Sequence, residues 1–116
     1  MSTDRELLEL AAVAVGIKAR WFRVSKWRDT GTSRIMTGKA EVFGTHHSKP
    51  WNPLTDDGDA LRLAVKLKML VDVNERACEV ICSAKFDITE RILSDPLAAT
   101  RRAIVRAAAE IGRSMP

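Results

Sequence analysis

Tyrosine is absent from the 116-residue chain, and only three Trp and three Phe supply aromatic surface. Two cysteines, Cys78 and Cys82, are too few for the disulfide framework that staples small secreted domains. No apolar stretch nears the ~20 residues that a bilayer-spanning helix needs. The first residues, Met-Ser-Thr-Asp-Arg-Glu, lack the basic-then-apolar order of a secretory leader. These absences predict a cytoplasmic chain with no membrane contact. Six Gly and four Pro are scattered rather than clustered, which excludes a low-complexity linker. The length suits one domain, residues 1–116, and is enough to bury a core without metal or disulfide.

Catalytic signatures are missing as well. There is no Gly-x-Ser-x-Gly, no phosphate-binding glycine loop, no dinucleotide fingerprint, and no cysteine beside a helix start or a basic partner. The only histidines are His46 and His47. Adjacent side chains diverge in most backbones, so they make a poor metal pair. The expectation is a non-enzyme with no catalytic residues, no metal and no cofactor.

What is present reads as alternating helix and strand patterns. Thr3-Asp4-Arg5-Glu6 matches a capping box, and apolar residues at helical spacing carry a first helix over 4–15, closed by Gly16. From Lys18, Arg-Trp-Phe-Arg-Val-Ser-Lys-Trp mixes aromatic, β-branched and basic residues at period two, the pattern of a strand with one wet face. Turn residues at 29–33 lead to a second strand over 34–43, where Gly38 weakens the strand or marks a bulge. Residues 44–50 read as loop.

Residues 51–67 read Trp-Asn-Pro-Leu-Thr-Asp-Asp-Gly-Asp-Ala-Leu-Arg-Leu-Ala-Val-Lys-Leu. The three acids invite a metal or acid–base reading. Acids in a first helical turn, however, complement the positive end of the helix dipole, and Thr55 or Asp56 can cap it. A calcium loop needs alternating acids before its glycine and a later glutamate, and neither is there. The segment predicts a helix over about 56–68, despite an alternation from Leu61 to Met69 that also resembles a strand.

Leu70–Val73 and Ala77–Phe86 predict a hairpin around Asn74-Glu75-Arg76, with Cys78, Val80 and Cys82 on one buried face. Four strand residues apart, the two cysteines would stand ~13 Å from each other, beyond disulfide reach. Residues 87–94 read as loop or a short helical turn. Ser94-Asp95-Pro96 starts a final helix over 96–111 with Gly112 as its stop.

The net charge of +4 is uneven: residues 17–50 carry eight Lys/Arg against Asp29 and Glu41, a balance of +6. Basic and aromatic residues interleave at Arg20, Trp21, Arg23, Lys26, Trp27 and Arg28, and Arg102, Arg106 and Arg113 share one face of the final helix. Both stretches are candidate nucleic-acid contacts, aromatic faces for bases and cations for phosphates. The other reading is a half-buried strand whose basic stems cover apolar surface, and a solvated helix face.

Two blocks, residues 51–67 and Asp95-Pro-Leu-Ala-Ala-Thr-Arg-Arg-Ala-Ile-Val-Arg-Ala-Ala-Ala-Glu-Ile-Gly112, resemble the phage ABA sandwich domain family, small uncharacterised proteins of bacteriophages and prophages. The segment Glu6-Leu-Leu-Glu-Leu-Ala-Ala is similar more loosely. The resemblance implies an α+β layered fold and a phage or prophage origin, and it implies no reaction. Combined with the residue patterns, it predicts about three helices on a small, mostly antiparallel four-stranded sheet in the order α-β-β-α-β-β-α. The leading expectation is a non-enzymatic accessory protein that contacts another protein, itself included, with Trp51 as a candidate anchor. The alternative is a nucleic-acid binder using the basic aromatic strand and the arginines of the final helix.

Overall fold

The computed structural model describes residues 2–116. The chain is α+β, with elements in the order α1 (Asp4–Val15), β1 (Arg20–Asp29), β2 (Arg34–His46), β3 (Lys49–Pro50), α2 (Asp57–Lys66), β4 (Leu70–Asn74), β5 (Glu79–Ser83), β6 (Asp87–Arg91) and α3 (Pro96–Ser114). The strands form two three-stranded antiparallel sheets, β1-β2-β3 and β4-β5-β6, in place of the single four-stranded sheet expected. Each hairpin acquires a third strand from a segment read as loop or unclear, 44–50 and 87–94. The chain divides into two compact units, residues 19–51 and residues 1–18 with 52–116. Each is described on its own.

In the larger unit α3 is the central element, with α1, α2 and the second sheet all packed on it. Ala103, Val105, Ala107, Ala108 and Ala109 of α3 are fully buried, against Leu7, Leu8 and Ala11 of α1, Leu63 of α2, and Val80 and Cys82 of β5 in the same core. Alanine is the best helix former and also the least obstructive side chain, so it lets neighbouring backbones come close. Gly112 takes this furthest. The expected stop is an interior residue, because the helix runs on to Ser114. A Cβ built on Gly112 would lie 2.0 Å from the Leu10 carbonyl oxygen of α1. The glycine is there for the helix crossing, and the helix end is set two residues later.

The helix starts follow the sequence. Thr3 Oγ1 accepts from Glu6 N at 3.2 Å, Asp56 Oδ1 from Gly58 N at 3.1 Å and Asp95 Oδ1 from Leu97 N at 3.0 Å. The acids of 56–59 divide into three separate structural roles. Asp56 caps α2. Asp57 pairs with Arg101 at 2.6 Å, and the same arginine donates through Nε to Leu54 O at 2.8 Å, tying the loop before α2 to α3. Asp59, buried at 8% exposure, accepts from Asn52 N at 2.9 Å and from Arg62 Nη2 at 2.8 Å.

The β4–β5 loop departs from expectation. The turn takes four residues, 75–78, because the Asn74 side chain accepts from Ala77 N at 3.1 Å and extends it. Cys78 therefore leaves the strand, is exposed, and adopts φ 53°. Val80 and Cys82 keep the buried face. Strand β5 ends at Ser83, so Ala84 and Phe86 belong to the bend into β6, whose pairing with β5 fills the unclear segment. Both thiols are free, and burial pushes the Cys82 thiol up to about 11.

These contacts make three predictions. Gly112→Ala gains ~1 kcal/mol of helix propensity but overpacks against backbone that cannot swing away, so urea unfolding should show a net loss of about 1–3 kcal/mol. Asp59→Ala leaves a part-buried Asn52 N–H without its acceptor, at a cost of about 1–3 kcal/mol in the same assay. An aromatic disulfide reagent at pH 8 should titrate one thiol, Cys78, in the native protein and two after denaturation. The raised Cys82 value also has a sign for stability. The folded state holds the proton where the unfolded thiol has released it, so that contribution is complete below the unfolded value and declines as pH rises toward about 11.

Candidate nucleic-acid interface

The hairpin unit, residues 19–51, contains seven Lys and Arg against Asp29 and Glu41, a net charge of +5. The rest of the chain has twelve Lys and Arg against thirteen acids, a net charge of −1. Strand alternation sorts the hairpin residues onto two faces. Trp21, Arg23, Ser25, Trp27 and Asp29 of β1 share one face with their partners Phe43, Glu41, Lys39, Met36 and Arg34 of β2, so both acids of the hairpin lie on this face. Arg20, Phe22, Val24, Lys26 and Arg28 share the other with Gly44, Val42, Ala40, Gly38 and Ile35.

The register contains one irregularity, and it matters for what each face presents. Lys26 pairs with Gly38 but Trp27 pairs with Met36, so Thr37 is an extra residue on β2. Gly38 sits at φ 147°, a conformation that side-chain-bearing residues rarely adopt. The sequence reading of Gly38 as a bulge marker is thus met. Strict alternation from Lys39 would put Thr37 and Ile35 on the Trp27 face. The bulge puts Met36 and Arg34 there instead, and the Arg34 guanidinium lies 5.3 Å from the Trp27 ring centroid.

The three tryptophans differ in surroundings. Trp21 lies against Phe43 with ring centroids 4.8 Å apart, and Trp51 is half-buried with its ring centroid 6.1 Å from that of Phe43. Trp51 N also donates to Phe43 O at 2.7 Å. Trp27 stands outside the cluster and is 52% exposed, with Met36 opposite at 51% and Ile35 at 46%. On the other face, the Arg20 guanidinium sits 4.8 Å from the Phe22 centroid. Phe22, Val24, Ala40 and Val42 are half-buried while Lys26 and Arg28 are exposed.

The arginines of α3 belong to the other unit and have acidic partners there. Arg102 pairs with Asp4 at 3.0 Å and with Glu90 at 3.9 Å; Arg106 meets Glu90 at 2.5 Å and donates to Thr89 O at 3.1 Å. Arg113 pairs with Glu110 at 3.6 Å and donates to Ser2 Oγ at 2.8 Å. They line a groove of about 450 Å³ with Glu90, Glu110 and Leu7. Three cations thus face Asp4, Glu90 and Glu110, a balanced network in which each guanidinium already has an anion. Such partly exposed pairs are worth ~0–1 kcal/mol each, and they join β6 and the N-terminal segment to α3.

The histidine pair departs from expectation: the His46 and His47 rings lie 4.0 Å apart. The strand ends at His46, so alternation no longer separates them, and His46 Nδ1 is held 2.7 Å from Ser48 Oγ. Among the described residues no group of three His, Cys, Asp or Glu is placed to hold a metal ion, and no helix is long and apolar enough to cross a membrane.

Sequence reasoning grouped Arg20, Trp21, Arg23, Lys26, Trp27 and Arg28 as one stretch, whereas the strand divides them between two faces. It missed Arg34, Met36 and Lys39, which lie on β2 beside Trp27. The available signal was Gly38, since a bulge there changes the parity of everything between it and the turn. Comparisons with family models, with curated proteins and with solved structures find no match for this chain.

Proposed function

We propose that this chain is a non-enzymatic accessory protein that binds nucleic acid through its hairpin, residues 19–51. A phage or prophage origin is part of the proposal, and the similarity of residues 51–67 and 95–112 to the phage ABA sandwich domain family supports it. The observation that carries the binding role is the separation of charge, +5 on 33 residues of hairpin and −1 on everything else. Phosphate binding rewards clustered cations through counterion release, and cations already held by carboxylates release few ions. Arg102, Arg106 and Arg113 are therefore left out of the interface. The protein-contact reading anchored on Trp51 has less support, because that ring is half-buried against Phe43.

Fluorescence anisotropy with labelled DNA and RNA, single- and double-stranded, tests the proposal. Binding should weaken as salt rises, with a log–log slope near −3, as about four phosphates at ~0.7 each would give. Lys39→Glu combined with Arg34→Glu, two cations on one face, should abolish binding. Arg106→Gln should leave the affinity unchanged and lower stability by about 1 kcal/mol through the lost Glu90 contact. Absence of binding to every probe at about 100 µM protein in low salt overturns the proposal.

A further inference from the structure

We infer that the Trp27 face of the hairpin is a platform for single-stranded nucleic acid, on which Trp27 stacks one unpaired base while Lys39 and the Arg34 fork beside the ring hold the phosphates on either side. The inference rests on the nucleic-acid reading and specifies its substrate class.

The first argument is exposure. Trp21 and Trp51 both lie within 6.1 Å of Phe43, and their rings are used in the hairpin's own aromatic cluster. Trp27 contributes nothing to that cluster and leaves 52% of its surface in water, in the same rung as Met36 at 51%. Burying a tryptophan is strongly favourable, so an indole kept at the surface of a strand is available for a partner. The second argument is the bulge. Gly38 at φ 147° switches the alternation of β2 and brings Arg34 to 5.3 Å from the ring centroid. The Arg34 guanidinium lies over one face of the indole, so a base would stack on the other face, and the arginine adds cation–π attraction and an anion-binding fork for the phosphate of that nucleotide. The third is charge on the adjacent rungs. Lys39, opposite Ser25, is the cation of this face with no acid directly across the ladder, since Arg23 stands opposite Glu41 and Arg34 opposite Asp29.

The chemistry favours an unpaired strand over a duplex. Within a duplex the π-faces of the bases are already stacked on one another, and a duplex offers a flat sheet face little beyond its phosphates. An unpaired base presents both faces, and any of the four can stack, so one indole gives affinity without sequence preference. A site that needed phosphates alone would gain nothing from an indole at its centre.

The test uses the full chain and four probes of about 12 nucleotides: oligo(dT), oligo(U), and a DNA and an RNA duplex. Single strands should bind more tightly than duplexes and should quench the tryptophan emission of the native protein, a readout that needs no variant. Trp27→Ala should weaken single-strand binding roughly 5- to 150-fold, as loss of one base stack does, and leave duplex binding unchanged. Trp27→Phe, which keeps a smaller ring, should restore part of the loss. Tighter binding to duplex, an unquenched emission, or a Trp27→Ala variant that binds like the native chain overturns the platform and leaves the wider nucleic-acid reading standing. Failure of all four probes to bind overturns both.

Discussion

Helix α3 can be the centre of its unit only because its neighbours come close to its backbone. Where α1 crosses it, the space between Gly112 and the Leu10 carbonyl is too small for a single methyl group. A run of alanines continues that narrow surface toward α2 and β5. The approach removes water from three directions at once, which is what lets a core assembled largely from alanine, leucine and valine hold together without disulfide or large aromatic side chains. Strand β5, the middle strand of its sheet, supplies the matching surface through Val80 and Cys82.

The arginines of α3 follow from the same geometry. A helix surrounded by other elements has its outward-leaning side chains within reach of their acids. Arg101 reaches Asp57, Arg102 reaches Asp4, and Arg106 reaches Glu90. The positive charge of these α3 arginines goes into holding parts of that unit to one another. In the hairpin the two acids stand opposite Arg23 and Arg34, and the other five cations have no acid across the ladder. The distinction between the two sets of basic residues is therefore one of partners, and both sets are equally basic by composition.

Much of the fold was legible in local patterns. Thr3, Asp56 and Asp95 cap the helices where expected, since a cap is a contact between residues two or three apart. The acid-rich stretch that resembles a reactive centre resolves into a cap, an ion pair and a buried hydrogen-bond acceptor. Errors gathered where a distant partner decides. Gly112 looks like a helix stop until α1 lies across it. Residues 87–91 have a weak pattern of their own and become a strand because β5 offers them an edge. Cys78 reads as part of the Ala77–Phe86 arm, and the Asn74 side chain lengthens the turn enough to release it.

The candidate site divides in the same way. Composition alone determined that the basic and aromatic residues concentrate between Lys18 and Trp51, because charge and residue type need no coordinates. Local pattern likewise determined the helix starts, whose caps act within one turn of chain. Only the tertiary structure decided which tryptophan is open, because Phe43 occupies Trp21 and Trp51 and leaves Trp27 outside. It alone decided that Arg34 stands beside that ring, through a bulge that reverses side-chain parity across a strand pair. Such choices depend on residues far apart in the chain meeting in space, and no local pattern encodes the meeting.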